Sequence, residues 1–96
     1  MPAAARQGDA GLVHCSGYTI AQGSGDVRIN GRPAARDGDS SSVHKRPGGK
    51  KCSIHASTIQ ASRTVRVNGR PIACVGDRLS DCTSIAQGSN NVFVGR

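Results

Sequence analysis

The chain has 96 residues, a formal net charge of +7 and 13 glycines, but only two aromatic residues, Tyr18 and Phe93. This length predicts a single small domain over residues 1–96, and the two aromatic residues exclude a large aromatic core. We therefore expect additional stabilisation from disulfides, a metal or a partner. There is no apolar run long enough for a transmembrane helix and no signal-peptide layout, so we expect synthesis in the cytoplasm.

A ten-residue stretch recurs along the chain. Residues 30–39 have the sequence NGRPAARDGD, and residues 68–77 have the sequence NGRPIACVGD, an offset of 38 positions. Residues 3–9, AAARQGD, match the second part of the same stretch. Self-similarity on this scale predicts a fold made of repeated units.

Each unit has the pattern of a short β-hairpin. Residues 27–29 alternate apolar and polar side chains, as in a strand. Asn30 and Gly31 follow as a strong hairpin-turn signal, because both tolerate positive φ. Pro33 suits an edge or turn position, and residues 35–36 predict a short second strand. No apolar stripe of helical period is present, so we expect no helix.

The third unit is split between the two ends of the chain. Residues 84–96 match the first half of a unit and stop where the second half would follow, whereas the chain begins with a second half. We therefore expect the N- and C-terminal strands to pair, which closes three units into a ring without free sheet edges. The prediction is an all-β fold of pseudo-three-fold repeated short antiparallel strands.

The spacers between units carry candidate metal ligands. The position five residues after each Gly-Asp pair holds His14, His44 and Cys82, all donors that zinc accepts. His55 is equivalent to Cys82 when counted back from the next unit, and Cys52 competes with it as the fourth ligand. A closed set of four ligands leaves zinc no open position, which favours a structural metal over a catalytic one.

The remaining cysteines have simpler interpretations. Cys74 stands at the position of Arg36 in the repeat, and we expect a small buried residue there. Cys15 could bind the metal only by displacing His14. Four cysteines would permit two disulfides, but the mixed set of cysteine and histidine favours a metal.

No catalytic set is apparent in the sequence. Asp9, Asp39 and Asp77 recur at equivalent places, which favours a role in turns over a role in catalysis. A free-standing zinc-dependent hydrolase remains an alternative, as does a small basic zinc-binding module for nucleic acid. The basic residues are scattered except in residues 44–51, and no aromatic residues interleave with them for base stacking.

The repeated motif resembles that of a known family. Residues 33–36 have the sequence PAAR, and residues 71–74, PIAC, are a degenerate copy. The chain resembles the PAAR-repeat proteins, which are spike-tip proteins of type VI secretion systems and contractile phage tails. The resemblance implies a small conical domain with one structural zinc ion near the vertex. It implies the following ligands: His14, His44, His55 and Cys82.

The resemblance also implies a function without catalysis. The protein would cap a trimeric β-helical spike protein, of the valine-glycine-repeat type or of a phage tail, and sharpen it for puncture of a cell envelope and effector delivery. We expect no fused effector and no specific nucleic acid, but possible effector partners and a transient contact with the target membrane. The assembled protein would be delivered outside the cell or into the target cell.

The repeat also predicts which end of the cone meets the spike. The ligand-bearing spacers must converge, so they form the narrow end, and the strand units leave a wide base. We expect some apolar residues of these strands to fill the interior and others to be exposed at the base. The residues concerned are Val27, Ile29, Val65, Val67, Val92 and Val94.

Overall fold

A computed structural model describes residues 1–12, 17–48, 51–80 and 83–95, with the backbone alone described at 44–48 and 51–55. All regular structure in this part of the chain is β. The strands are β1 Arg28–Ile29, β2 Arg32–Pro33, β3 His44–Gly48, β4 Lys51–His55, β5 Ile59–Gln60, β6 Arg66–Val67, β7 Arg70–Pro71 and β8 Arg78–Leu79. They form four antiparallel two-stranded pairs: β1 with β2, β3 with β4, β5 with β8, and β6 with β7. The described residues include no helix that could cross a membrane.

Two of the pairs, β1–β2 and β6–β7, are the predicted hairpins. Asn30 and Gly31 have φ of 54° and 77°, and Asn68 and Gly69 have φ of 55° and 76°. Two successive residues with positive φ make a turn whose twist matches that of the flanking strands, so the Asn-Gly prediction is confirmed.

The third hairpin is assembled from the two ends of the chain. Ala3 pairs with Phe93 in an antiparallel bridge, and the N–H of Val94 donates to the carbonyl of Pro2 at 2.9 Å. The predicted pairing of the terminal segments is confirmed.

A ring of three alanines lies at the centre of the molecule. The N–H of Ala5 donates to the carbonyl of Ala73 at 2.9 Å, that of Ala73 to Ala35 at 3.0 Å, and that of Ala35 to Ala5 at 3.0 Å. All three alanines are fully buried. One residue from each repeat therefore closes a cycle of backbone hydrogen bonds, and the predicted pseudo-three-fold arrangement is confirmed.

The second strand of each unit lies earlier in the sequence than predicted. β2 comprises Arg32–Pro33, not residues 35–36. Arg36 instead forms an isolated bridge with Ile72 of the next repeat. The physical reason is the ring: once the chain reaches the axis, its backbone groups pair between repeats and no longer within the hairpin.

The core consists of two apolar layers, one of which contains the ring alanines. The hairpin layer contains residues that follow the second strand of each unit and the inward residues of the first strands: Ala4, Ile29, Ala34, Val67, Ile72, Cys74 and Val94. The next layer contains the ring alanines and the start of each unit: Ala5, Tyr18, Ile20, Ala35, Ile59, Ala73, Leu79 and Ile85. The predicted division of the strand residues is confirmed for the inward-facing ones.

The spacers leave the core through a layer of backbone contacts between repeats. The N–H of Leu12 donates to the carbonyl of Ser84 at 2.9 Å, and the N–H of Ser41 donates to that of Ser57 at 2.7 Å. Beyond this layer the spacer over residues 40–56, where the sequence predicted no strand, forms β3 and β4 with five residues each. The molecule is elongated, with principal extents of 39 × 24 × 23 Å.

Candidate functional site

We refer to the turns at Asp9, Asp39 and Asp77, with the side chains around each aspartate, as the first, second and third corners. The first corner is built around the carboxylate of Asp9, which is fully buried. Its Oδ2 accepts hydrogen bonds from the backbone N–H of Arg6 at 2.7 Å and from the Nε of Arg6 at 3.0 Å. Its Oδ1 accepts one from Nη2 of the same guanidinium at 2.9 Å. The hydrogen bond to Asp9 raises the pKa of Arg6 above its ordinary value. The turn thus carries its own bidentate ion pair.

A second arginine completes this corner. Nη2 of Arg32 lies 3.1 Å from Oδ1 of Asp9, and Nε of Arg32 donates to the carbonyl of Gln7 at 3.0 Å. A buried carboxylate is costly unless it is paired and hydrogen-bonded, and here two guanidinium groups compensate one carboxylate.

The second corner repeats this arrangement around Asp39. The backbone N–H, Nε and Nη2 of Arg36 donate to its carboxylate at 2.9, 3.0 and 3.0 Å. Nη2 of Arg70 donates to Oδ1 of Asp39 at 3.0 Å, and its Nε donates to the carbonyl of Asp37 at 2.8 Å. The two corners therefore share the same four groups in the same roles.

The turn asparagines connect these ion pairs to a neighbouring repeat. Oδ1 of Asn30 accepts hydrogen bonds from Nη1 of Arg6 at 3.1 Å and from Oγ of Ser89 at 2.6 Å. Asn68 accepts the equivalent pair from Arg36 at 3.1 Å and Ser24 at 2.6 Å. Each hairpin turn is thereby tied to an arginine and a serine of the same neighbouring unit.

The third corner, around Asp77, is different. Cys74, Pro2 and Gly95 stand where the first corner has its two arginines and its asparagine. The N–H of Cys74 still donates to Oδ2 of Asp77 at 2.9 Å, so the turn itself is kept. Arg63, from a different part of its repeat, pairs with the same carboxylate oxygen.

These smaller residues leave an open cleft at the third corner. Its volume is about 340 Å³, and the lining residues are Pro2, Ser62, Arg63, Thr64, Asp77 and Gly95. The other two corners are filled by arginine side chains at the equivalent positions.

Cys74 is fully buried, as the sequence predicted. Burial raises the pKa of its thiol from its ordinary 9.0 to about 11. The thiol therefore stays protonated at neutral pH and is a structural residue.

The predicted metal ligands belong to the segments beyond the core. His14 and Cys82 lie outside the described residues, and the side chains of His44 and His55 do too. The backbone makes His44 and His55 register partners in the β3–β4 pair. Among the described side chains, no three His, Cys, Asp or Glu residues lie together as metal ligands would. The ligand set stays a prediction.

Described residues close in sequence to all four of these positions lie near one end of the core. His14 follows Leu12 by two residues, and Cys82 directly precedes Thr83. Oγ1 of Thr83 donates to the carbonyl of Leu12, so these two spacers leave the core side by side. His44 is two residues from Ser42, and His55 is two residues from Ser57, and both serines lie in the same layer. Two residues of extended chain span at most about 7 Å, so each histidine backbone lies within about 7 Å of this layer. The residues present thus fit a shared metal site.

Three apolar residues are partly exposed at the other end of the molecule. Val27, Val65 and Val92 occupy equivalent places in the three units and are 38, 43 and 36% exposed. Their carbonyl groups accept hydrogen bonds from the hairpin layer of the core: from Ala34, Ile72 and Ala4. The prediction that some strand valines are exposed is confirmed.

The arginine–aspartate corners are the part of the site that sequence analysis missed. Asp9, Asp39 and Asp77 were predicted to act in turns, and their bonds to the backbone three residues earlier confirm this. Their ion pairs had a signal in the sequence, since Arg6 and Arg36 both precede an aspartate by three residues. The corners hold these two arginines against buried carboxylates, so their charges do not form part of a solvated basic surface.

The geometry defines a repeat protein in which three β-hairpin units close around an axis through their own terminal segments. The family model described as PAAR motif matches residues 2–43 and 48–96. The chain therefore belongs to the PAAR-motif family, as its repeats predicted. Proteins of this family are known as spike tips of secretion systems, a structural rather than an enzymatic role. No curated protein matches the chain.

Proposed function

We propose that this chain is the non-enzymatic tip of a membrane-piercing spike, where it caps a trimeric β-helical spike protein. It would sharpen that spike for puncture of a cell envelope and for effector delivery. Membership of the PAAR-motif family supports the class of function. The pseudo-three-fold fold supports the partner, because one chain presents three similar surfaces to three identical subunits.

The observation that carries the proposal is the set of three equivalent exposed valines. Val27, Val65 and Val92 lie at the hairpin end of the molecule, opposite the spacers. The neighbouring Phe93 is 52% exposed and adds apolar area to the same end. Repeated apolar positions around an axis suit a three-fold partner, and exposed apolar patches commonly mark interfaces.

A matched pair of variants tests the orientation. Val65→Asp places a charge in the proposed interface and should abolish co-purification with the host's trimeric spike protein. Val43→Asp alters a more exposed valine at the spacer end, 71% exposed, and should leave co-purification unchanged. Loss of the complex in Val43→Asp but not in Val65→Asp would show that the opposite end binds the spike.

We further propose one structural zinc ion at the spacer end, held by His14, His44, His55 and Cys82. The small core supports this proposal, because a metal supplies rigidity where packing cannot. The register pairing of His44 with His55 brings two of the four positions together. When bound, the metal would tie the three spacers to one another; it has no part in a reaction.

Elemental analysis of the purified protein tests the metal site. We expect about one zinc per chain, and loss of that zinc in Cys82→Ser and His44→Ala. Cys52→Ser is the control and should retain the metal. Full zinc in Cys82→Ser together with loss in Cys52→Ser would assign the fourth place to Cys52. Because the ligands bind as thiolate and neutral imidazole, acid should release the metal and lower the Tm together.

A further inference from the structure

The third corner departs from the pseudo-symmetry in a way that leaves two hydrogen-bond acceptors without partners in the described part of the chain. We propose that the cleft at this corner binds the guanidinium group of an arginine side chain supplied by a partner protein. This inference goes beyond the spike-tip function and does not depend on it, since the site lies at a corner and not among the exposed valines.

The first two corners show what the third would bind. In each, an arginine from the second hairpin strand uses Nη2 to reach Oδ1 of the aspartate and Nε to reach a backbone carbonyl. Arg32 does so with Asp9 at 3.1 Å and Gln7 at 3.0 Å. Arg70 makes the same two contacts in the second corner, at 3.0 and 2.8 Å. The molecule thus contains two copies of an occupied guanidinium site.

The third corner keeps the acceptors and lacks the arginine. Pro2 stands at the position of Arg32, so the repeat supplies no guanidinium there. Arg63 pairs with Oδ2 of Asp77, as does the N–H of Cys74. Among the described residues, Oδ1 of Asp77 and the carbonyl of Val75 receive no hydrogen bond. These are the two acceptors equivalent to those that Arg32 and Arg70 use.

The space for the missing side chain is open. A β-carbon placed on Gly8 would lie 2.7 Å from Nη2 of Arg32, and one on Gly38 would lie 3.0 Å from Nη2 of Arg70. At Gly76, the equivalent glycine of the third corner, a β-carbon would meet no atom of the described residues within 4 Å. The cleft of about 340 Å³ lies at this corner and is lined by Asp77 and Pro2.

The charges at the corner accept a second arginine. Within the described residues, Asp9 and Asp39 each lie within ion-pair distance of two guanidinium groups, whereas Asp77 lies near one, that of Arg63. A guanidinium fits better than an ammonium group, because a planar fork reaches a carboxylate and a carbonyl at the same time. An incoming arginine would restore the pairing found in the other corners.

A single guanidinium site would distinguish one of the three pseudo-equivalent orientations in which a partner could bind. The three hairpins offer nearly equivalent surfaces, so a partner that recognises them alone could bind in three orientations. As far as the structure describes the chain, the corner of Asp77 is the one of the three with unfilled acceptors. A partner that inserts an arginine there would bind in one orientation.

An NMR titration of the ¹⁵N-labelled protein with Nα-acetyl-L-arginine amide tests the site. The amides of Gly76 and Asp77 should shift saturably, and those of Gly8 and Gly38 should not. Nα-acetyl-L-lysine amide is the matched probe and should bind at least about tenfold more weakly, since it lacks the fork.

Two variants test the comparison with the occupied corners. Pro2→Arg places an arginine at the position equivalent to Arg32 and should weaken probe binding at Gly76 at least about tenfold while the protein stays folded. Arg32→Ala removes the guanidinium group that occupies the equivalent site in the first corner. The probe should then bind there too and cause a second set of saturable shifts at Gly8. Unsaturable shifts, equal binding of both probes, or full binding by Pro2→Arg would overturn the proposal.

A third variant separates a partner's arginine from the chain's own. Arg96 follows Gly95, which lines the cleft, and lies outside the described residues. If Arg96→Ala binds the probe as the unaltered protein does, the cleft is free for a partner. If the probe binds only in Arg96→Ala, the chain fills its own site and the partner proposal fails.

Discussion

At each corner a single aspartate side chain organises both a tight turn and an ion pair. Oδ2 of Asp39 accepts the backbone N–H of Arg36, which closes the turn, and the same carboxylate binds the guanidinium of Arg36. The last two residues of the PAAR sequence thus have separate roles. Ala35 is small enough for the crowded ring at the axis, and Arg36 neutralises the carboxylate that holds the following turn.

The first prediction at this scale concerns Arg36. Arg36→Ala leaves the nearly buried carboxylate of Asp39 with Arg70 as its remaining cation, so we expect a loss of about 2–3 kcal/mol in the free energy of unfolding. Arg66→Ala is the matched control. Its side chain is exposed, and its one hydrogen bond to a described residue is to the carbonyl of Gly69, so we expect a change below about 0.5 kcal/mol. Denaturant unfolding measures both, and equal losses would contradict this account of the corner.

The second residue-scale prediction is a pH dependence caused by Cys74. The folded state holds the thiol proton up to a pKa of about 11, above the ordinary value of 9.0. A raised pKa in the folded state means that stability present below pH 9 is lost as the pH rises towards 11. The free energy of unfolding should therefore fall over this range.

Cys74→Ala isolates this contribution. Every other titrating group is common to both proteins, so the difference between them should shrink or change sign across this pH range. Parallel curves for the two proteins would show that burial of the Cys74 thiol does not contribute to the pH dependence.

At the scale of elements, the hairpins are local structures whose turns also carry contacts between repeats. Asn30 adopts positive φ, which few residues other than glycine tolerate, and its side chain accepts bonds from Arg6 and Ser89. The asparagine thus serves the turn by its backbone and the assembly of repeats by its amide.

Two substitutions separate these roles of Asn30. Asn30→Gly keeps a backbone suited to positive φ and loses only the side-chain bonds, whereas Asn30→Ala loses both. We expect Asn30→Ala to be about 1 kcal/mol less stable than Asn30→Gly, as measured by thermal or denaturant unfolding. If Asn30→Gly were the less stable variant, the left-handed backbone would not limit the choice of residue here.

The elements differ in how far the sequence predicted them. The Asn-Gly turns and the alternating strands were predictable because their conformations depend on local residue chemistry. The β3–β4 pair was not, because the polar residues of 40–56 give no apolar alternation from which to read a strand. The exact position of β2 also depended on contacts with the next repeat, which a local pattern does not contain.

The candidate site divides in the same way. The recurrence of Asp9, Asp39 and Asp77 predicted their turns, but the ion pairs required knowledge of which side chains meet in space. Arg63 shows this most clearly, since it reaches Asp77 from a position that carries no arginine in the other units. The cleft beside it follows from three separate substitutions that only the folded ring brings together.

At the scale of the whole molecule, one chain has the pseudo-three-fold symmetry that a homotrimer would have. The hydrogen bonds among Ala5, Ala35 and Ala73 close the repeats into a ring, and the pairing of Ala3 with Phe93 completes the third unit. The apolar hairpin end and the spacer end lie on opposite sides of this ring. This arrangement supports the proposal that a single copy covers the end of a three-fold symmetric spike.

The stoichiometry of the complex with the host's trimeric spike protein tests this central claim most directly. Native mass spectrometry of the purified complex should give one copy of this chain for each spike trimer. Val65→Asp should leave the trimer unbound, and Val43→Asp should give the same mass as the unaltered protein. Three copies per trimer, or no complex with the spike at all, would contradict the account.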